Sequence, residues 1–434
     1  MHLFKISQLF LILSFLSILV VFPFLAPFSF IVGKYVFFRV TVLLALFFFF
    51  VGLLFYRDTE FETRAREVLS SPLSIALIVF VAVYLLAGFF GVHPSTSFWS
   101  TLTRGDGGFQ MLVFLGFYFL LTTFFSSRMI WKKIFTYLVI LGLFVLLYGV
   151  LAAFHLFGLS GPALSLLHQF HGTLGNPAFL GSYLLFLFFF ALNLFFDPLS
   201  RFQKILGGAS SVVFFVFLVI TQTRGAFLGI LVGLGVFLLF IFFSSRGLFR
   251  QRAGIILFAG IFICTALFTF RGTEFVQSLP GSRVFQISLT ERTAQTRLWT
   301  WEAAFEGFLE RPVLGWGTDQ FSFVFNHHFN PRHFLPTEGS EIWFDRAHNV
   351  IFDYLVALGG LGLLSFLGVF FVFYHLLYRA TLPLFTRAFL FAFPAAYFGQ
   401  GMFLFDVFST QLLLFTFLAF GVSTFLLPSH QSSS

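Results

Sequence analysis

Long uninterrupted runs of apolar residues constrain this chain more than any other feature of its sequence. A helix needs about 20 mostly apolar residues to cross the hydrocarbon core of a bilayer. The sequence predicts twelve such windows, at 8–28, 36–56, 72–91, 109–126, 134–157, 177–196, 206–222, 225–243, 253–270, 349–374, 382–399 and 404–426. Because windows of this length are typical of spanning helices, we predict an all-α polytopic membrane protein with about twelve transmembrane helices.

The composition excludes a water-soluble globule. Only 10% of the residues are charged and the mean hydropathy is +0.96, whereas soluble domains carry roughly 25% charge. The single cysteine, Cys264, lies in an apolar segment, so neither a disulfide framework nor a thiolate metal cluster is expected.

The basic residues predict the orientation of the chain. Short cytoplasmic loops retain Lys and Arg, so the net charge of +8 indicates topology rather than a nucleic-acid partner. With the N-terminus inside, fourteen basic residues fall in cytoplasmic segments: Lys5, Arg57, Arg64, Arg66, Arg128, Lys132, Lys133, Arg201, Lys204, Arg246, Arg250, Arg252, Arg379 and Arg387. Four lie in the short outer loops: Lys34, Arg39, Arg104 and Arg224. We therefore expect both termini to be cytoplasmic.

The windows divide the chain into four parts. We expect nine spans in 1–270, an extracytoplasmic loop at 271–347, three more spans in 348–428 and a disordered Ser-rich tail at 429–434. The first window follows Lys5 and resembles a secretion signal, but further windows follow it and no clean cleavage site is visible, so it is kept as a span.

The long loop contains a predicted amphipathic helix. Its apolar residues recur at helical spacing: Leu298, Trp301, Phe305, Phe308 and Leu309. Its acidic residues follow one another at every fourth position: Glu302, Glu306 and Glu310. Pro312 is expected to end it. Such a helix either rests on the membrane surface or forms a lid over a site that faces the lipid.

Arg224 is the only charged residue between Lys204 and Arg246, at the predicted outer turn between spans seven and eight. A planar guanidinium suits two oxygens of a phosphate or diphosphate, and the N-H groups that open span eight would add to the attraction. The alternative is an interfacial anchor that reaches the lipid headgroups.

His348 lies where the long loop becomes span ten. The positive end of the helix dipole disfavours an imidazolium, which would keep this side chain neutral and able to act as a general base. A capping or interface histidine is the alternative. The neighbouring Asp345 could either cap the helix or orient the ring, and Arg297 precedes the amphipathic helix near the surface.

A metal site is not expected from the sequence. His327, His328 and His333 fit no strong ligand spacing, and no carboxylate partner is evident. No phosphate-binding loop and no Asp-x-Asp motif occurs, so neither nucleotide hydrolysis nor a metal-bound sugar nucleotide is indicated. We expect no cofactor.

The motifs taken in order resemble the O-antigen ligase and polymerase superfamily of bacterial membrane glycosyltransferases. The signature is His348 and Asn349, followed after nine residues by Gly359 and then by Gly362. The other matching stretches are 172–177, 223–226, 297–299 and 311–317. One departure from some ligases is that Leu363 and Leu364 follow Gly362.

The resemblance implies a GT-C type fold and a metal-independent, inverting transfer at the outer face of the inner membrane. It implies that the donor is a glycan on undecaprenyl diphosphate, that the acceptor is a lipid or glycan, and that Arg224 and Arg297 hold the diphosphate while His348 activates the acceptor hydroxyl. It also implies substrate binding by Thr173, Asn176, Arg346 and Asn349.

Other functions remain open at the level of sequence. A ligase for lipopolysaccharide, a polymerase and a protein oligosaccharyltransferase share these motifs, and a transporter or flippase would also have about twelve spans. Transporters usually contain related halves and polar, broken helices at mid-membrane, whereas the mid-span positions here are almost wholly apolar and the charged candidate site residues gather at the predicted outer rim. This distribution favours glycan transfer.

Overall fold

The chain is all-helical in its computed structural model, which describes residues 2–22, 30–56, 59–154, 156, 170–279, 282, 285, 291–334 and 342–425. No β-strand occurs in these ranges. The helices are α1 (His2–Ser14), α2 (Val32–Phe55), α3 (Thr59–Ser70), α4 (Pro72–Phe89), α5 (Pro94–Trp99), α6 (Gly108–Phe124), α7 (Arg128–Ala153), α8 (Pro177–Phe196), α9 (Arg201–Ile220), α10 (Arg224–Ser244), α11 (Leu248–Thr269), α12 (Glu274–Ser278), α13 (Arg292–Glu310), α14 (Phe321–His327), α15 (Val350–Arg379), α16 (Leu384–Gly401) and α17 (Phe408–Phe425). The predicted tail at 429–434 lies outside the described residues.

The prediction of a polytopic, all-helical membrane protein is confirmed. Within the described ranges, ten helices are long and apolar enough to cross a bilayer: α1 with its 3-10 continuation to Leu19, α2, α4, α7, α8, α9, α10, α11, α15 and α17. The remaining two predicted windows coincide with α6, which has 17 residues, and with α16, which contains Arg387 and Pro394. The first span begins at His2 rather than at residue 8, and the extended backbone of Val20 ends it.

Contacts between residues divide the chain into two units. The first unit comprises Met1–Ser126, Ser288–Leu376 and Met402–Pro428. The second comprises Ser127–Ile287, Leu377–Gly401 and Ser429–Ser434. The part of the long loop from Ser288 onward and the first part of α15 therefore belong to the first unit, and Arg224 belongs to the second.

Phenylalanine rings fill the interior of the first unit. The ring of Phe38 on α2 lies 4.9 Å from Phe114 and 5.1 Å from Phe117 on α6, centroid to centroid. It also lies 5.3 Å from Phe408 on α17, with the planes 75° apart. Tilted and edge-to-face pairs of this kind are favourable beyond the area they bury, which gives part of the chain's Phe content a packing role.

Small residues bring helices close together in the second unit. On α10, a Cβ placed on Gly229 would lie 2.9 Å from the carbonyl oxygen of Ala396 on α16. Likewise, a Cβ placed on Gly399 of α16 would lie 3.2 Å from the Cα of Gly229. Helices in membranes associate largely through van der Waals packing, and such small residues let their backbones approach.

The amphipathic helix of the long loop is present as α13, but its buried face is not the large apolar one. The residues that it buries in the first unit are small: Thr296, Thr300, Ala303, Ala304 and Gly307. Leu298, Phe305 and Leu309 are each about half exposed instead, at 46%, 48% and 59%. A Cβ on Gly307 would collide with Val324 of α14, so small residues are needed where these two helices meet.

A single glycine interrupts α15, which the sequence predicted as one continuous span. Gly359 has φ +67° and ψ −170°, a conformation that breaks the helix and that side chains with a Cβ rarely adopt. A Cβ there would collide with the Val313 carbonyl and lie 2.7 Å from the amide nitrogen of Leu314. The segment 312–317 therefore lies directly against the break.

Backbone hydrogen bonds compensate for the interrupted helix. The donor and acceptor pairs are Gly360 N to Pro312 O (2.7 Å), Leu361 N to Val313 O (3.2 Å), Trp316 N to Val356 O (3.0 Å) and Gly317 N to Ala357 O (3.0 Å). Backbone groups in a membrane protein must be satisfied within the protein. This pairing explains why the motif at 311–317 and Gly359 occur together.

We expect Gly359→Ala to destabilise the protein by about 1–3 kcal/mol, because the strained φ and the collision with 313–314 act together. The measurement is thermal unfolding of the purified protein in detergent. Gly368→Ala is the matched control, since it lies on the same helix and a Cβ there meets nothing within 4 Å. Equal melting temperatures for the two variants would contradict the assigned role of Gly359.

Candidate active site

The turn that carries His348 is fixed by the first residues of α15. Asn349 Oδ1 accepts hydrogen bonds from the amides of Ile351 (2.9 Å) and Phe352 (3.3 Å), and its Nδ2 donates to Met402 O (3.3 Å). The amide of Ala347 donates to Asp353 Oδ1 at 2.7 Å. Asn349 therefore caps the helix, and its proposed substrate-binding role stays a prediction.

The ring of His348 is held in one orientation. The backbone of His348 has φ +55°, which is uncommon for a non-glycine residue. Its Nδ1 lies 3.1 Å from the carbonyl oxygen of Arg346, and edge-to-face contacts with Phe344 and Phe405 have centroid distances of 5.7 and 5.2 Å. Because a carbonyl can only accept, Nδ1 carries the proton and Nε2 keeps its lone pair.

The surroundings keep His348 neutral. Burial lowers its pKa to about 4, the charges of Arg297 and Arg104 act in the same direction, and the Arg346 carbonyl and Asp345 oppose them. This pKa supports the sequence-based prediction that the imidazole is unprotonated near pH 7. Burial and the nearby arginines are the main causes, rather than the helix dipole expected from the position of His348 in the sequence.

Arg297 lies close to His348 in the first unit. It is half-buried on α13, with its guanidinium carbon 5.7 Å from the ring centroid of Phe403. Trp301, one turn further along α13, donates from Nε1 to Ala347 O at 2.9 Å. This hydrogen bond joins the helix that carries Arg297 to the turn that carries His348.

Two carboxylates that were not predicted as site residues hold Arg346. Its guanidinium donates to Asp106 at 2.7 Å and to Asp319 at 3.1 Å. Ser100 Oγ lies 3.1 and 3.0 Å from the same two carboxylates, so its single hydroxyl proton can be donated to either. Burial raises the pKa of Asp106 although Arg346 opposes it. Burial also acts to raise the pKa of Asp319, but Arg346 and hydrogen bonds from Thr101 and Ser100 hold it below its usual value. Substrate binding by Arg346 stays a prediction.

A second ion pair lies beside this network. Arg104 Nε donates to Asp345 Oδ2 at 2.6 Å, and the Arg104 guanidinium lies 4.8 Å from the centroid of the Phe405 ring. Asp345 therefore pairs with Arg104, while Asn349 caps the helix. The only sequence signal for this loop was the charged and Gly-rich run from Arg104 to Gly108.

Three predicted site residues lie in the second unit. Thr173 is buried in a 3-10 turn, and Asn176 Oδ1 caps α8 by accepting from the amide of Ala178 at 2.8 Å. Arg224 is half-buried and opens α10. A Cβ on Gly181 of α8 would lie 3.0 Å from the Cβ of Ala226 on α10, so the starts of α8 and α10 adjoin. That Arg224 joins Arg297 and His348 stays a prediction.

The residues suited to hold a metal lie at the other end of α13. Glu306 and Glu310 of this helix face His327 and His328 at the end of α14. His333 is buried among aromatic rings, with centroids 5.1 Å from Phe325 and 5.3 Å from Trp299. The structure thus supplies the carboxylates that were not evident in the sequence.

Part of the chain that carries these site residues matches a known protein family. Residues 209–367 match the model of the O-antigen ligase family, Wzy_C. This segment is similar to an O-antigen ligase domain. None of the curated proteins compared with the chain matches it. The family consists of membrane glycosyltransferases of the O-antigen ligase and polymerase type, which use lipid-linked glycans.

The matched segment contains some but not all of the site. It includes Arg224, Arg297, Arg346, His348 and the segment 312–317 that lies against Gly359. The carboxylate of Asp106 lies outside it. So do the rings of Phe403, beside Arg297, and Phe405, beside His348. The matched segment thus depends on the flanking helices for part of its electrostatics.

Proposed function

We propose that the protein transfers a glycan from undecaprenyl diphosphate to an acceptor hydroxyl at the outer face of a bacterial inner membrane. The reaction is inverting and uses no metal. The acceptor is a lipid or another glycan, as in the synthesis of lipopolysaccharide. The observation that carries this proposal is the oriented, neutral His348 beside Arg297 in a domain of this family.

The proposed chemistry follows from the two kinds of side chain. Nε2 of His348 accepts the proton of the acceptor hydroxyl as its oxygen attacks the anomeric carbon. The bond from that carbon to the diphosphate oxygen breaks, and negative charge grows on the leaving group. Arg297 and Arg224 oppose that charge more strongly in the transition state than in the ground state.

Donor binding would also strengthen the base. The positive charge of Arg297 lowers the pKa of His348 in the free protein. A diphosphate bound to Arg297 would offset that charge, so the pKa of His348 would rise towards its ordinary value. The imidazole then becomes a better proton acceptor when a donor is present.

The proposed topology places this site outside the cytoplasm. We assign twelve spans, counting α6 and α16 with the ten longer apolar helices, and place both termini in the cytoplasm, in a GT-C type arrangement. The distribution of basic residues supports this orientation. The half-exposed Leu298, Phe305 and Leu309 would let α13 lie in the membrane interface.

Reconstituted vesicles test the proposal. The purified protein is supplied with a polyprenyl-diphosphate glycan and, in separate assays, with lipid A-core, with a second donor molecule or with an acceptor protein. We expect glycan transfer and release of polyprenyl diphosphate with one of the first two acceptors. Transfer to protein would identify an oligosaccharyltransferase instead, and donor translocation without transfer would support a flippase and refute the enzyme.

A further inference from the structure

The end of α13 and the end of α14 bring together four side chains outside the transfer site. Glu310 Oε1 lies 3.3 Å from His328 Nε2 and 3.5 Å from His327 Nε2. Glu306 Oε2 lies 3.2 Å from the other ring nitrogen of His328, Nδ1. We propose that Glu310, His327 and His328 bind a divalent cation of the zinc class and that Glu306 positions His328.

The distances between the three ligand atoms match this coordination. Zinc binds His nitrogen and carboxylate oxygen at about 2.0–2.2 Å, so a tetrahedral arrangement places neighbouring ligand atoms about 3.3–3.5 Å apart. The Glu310 oxygen lies at 3.3 and 3.5 Å from the two histidine nitrogens. All three atoms lie within 4.8 Å of one another, so small side-chain movements complete the set.

The arrangement of side chains around His328 also points to a cation. Its two ring nitrogens face different carboxylates, Nδ1 facing Glu306 and Nε2 facing Glu310. A second imidazole, His327, faces the same Glu310 oxygen, and the two ring centroids are 4.8 Å apart. One cation between the two rings and Glu310 would be bound by Nε2 of each ring and by the carboxylate oxygen.

Glu306 completes an arrangement that is common around bound metals. A ligating histidine usually donates its other ring N-H to a carboxylate, which fixes its tautomer and raises its basicity. The contact from His328 Nδ1 to Glu306 has this geometry.

The cation would have access from solvent and would lie away from the transfer chemistry. A cavity of about 450 Å³ adjoins the cluster, and Glu302, Glu306, His327, His328 and Arg332 are among its lining residues. Water in this cavity could provide a fourth ligand. Glu310 follows Arg297 by thirteen residues on α13, about 20 Å along the axis. The cation therefore stabilises the joint between α13 and α14 and is not part of the transfer reaction.

Calorimetric titration of Zn²⁺ into chelator-treated, full-length protein in detergent, without a polyhistidine tag, tests this site. We expect one Zn²⁺ per chain and at least tenfold weaker binding in Glu310→Gln and His328→Ala. Glu306→Gln should weaken binding by about 10–100-fold through the lost hydrogen bond. His93→Gln, which changes an exposed histidine that precedes α5 and makes no capping hydrogen bond through its side chain, should bind as the wild type does.

A second variant separates loss of binding from loss of folding. His327 is more than half exposed, so His327→Gln should keep its melting temperature without metal and lose the stabilisation that Zn²⁺ gives the wild type. Co²⁺ should give the visible spectrum of tetrahedral nitrogen and oxygen coordination in the wild type only. The proposal is overturned if the wild type shows no saturable binding, or if His327→Gln and Glu310→Gln bind Zn²⁺ with unchanged affinity.

Discussion

His348→Ala is expected to lower turnover by about 10²–10⁴-fold, the usual contribution of a general base. The structure leaves Nε2 of this ring with its lone pair, while Nδ1 donates to the Arg346 carbonyl. Removal of the imidazole leaves the acceptor hydroxyl without an internal proton acceptor. Turnover is measured in vesicles with saturating donor and acceptor, and donor binding is measured separately and should change little.

The control for this variant is His93→Ala, which removes an exposed histidine elsewhere in the first unit and should keep full turnover. Folding of His348→Ala is checked by its melting temperature. Wild-type turnover in a folded His348→Ala protein would show that His348 is not the base.

The dependence of turnover on pH gives the same prediction a second readout. The pKa of His348 is lowered to about 4 in the free protein, so kcat/KM should fall only as the pH approaches that value and Nε2 becomes protonated. In the donor complex the diphosphate offsets Arg297. The acid limb of kcat should therefore lie at a higher pH than the acid limb of kcat/KM.

Arg297→Ala is expected to lower kcat by about 10²–10³-fold, in the range found when one donor to a developing negative charge is removed. Donor affinity should fall less than kcat, because charge on the leaving oxygen is greatest in the transition state. Arg297→Lys should recover part of the activity, since it keeps the charge but loses the planar pair of donors.

A pH profile distinguishes this role from a structural one. Arg297 lowers the pKa of His348, so its removal should move the acid limb of kcat/KM to higher pH. Arg332→Ala, an exposed arginine of the same loop, should leave both the rate and the profile unchanged. An Arg297→Ala profile that coincides with that of the wild type would mean that Arg297 does not act on the base.

The helices could be predicted because their signal is local. Each apolar window coincides with a helix, and the spacing from Leu298 to Leu309 predicted α13. Periodicity did not show which face of α13 is buried. The buried face contains Thr300, Ala303 and Gly307 because α14 approaches closely there, and a hydrophobicity pattern does not report such small contact residues.

The network around His348 depends on tertiary pairing, which one sequence does not contain. Asp106 and Arg346 are 240 residues apart, yet their side chains form an ion pair at 2.7 Å. The break in α15 could likewise not be predicted, because the residues around Gly359 are apolar and their pattern is typical of one continuous span. Only the segment at 312–317 beside them shows why a helix would end there.

The most direct test of the account is a structure of the protein with undecaprenyl diphosphate bound in nanodiscs. The central claim is that Arg224 and Arg297 hold one diphosphate beside His348. We expect both guanidiniums about 2.7–2.9 Å from diphosphate oxygens, with Nε2 of His348 facing the end that would carry the glycan. A diphosphate that contacts neither arginine, or Arg224 on the opposite side of the membrane from His348, would contradict the account.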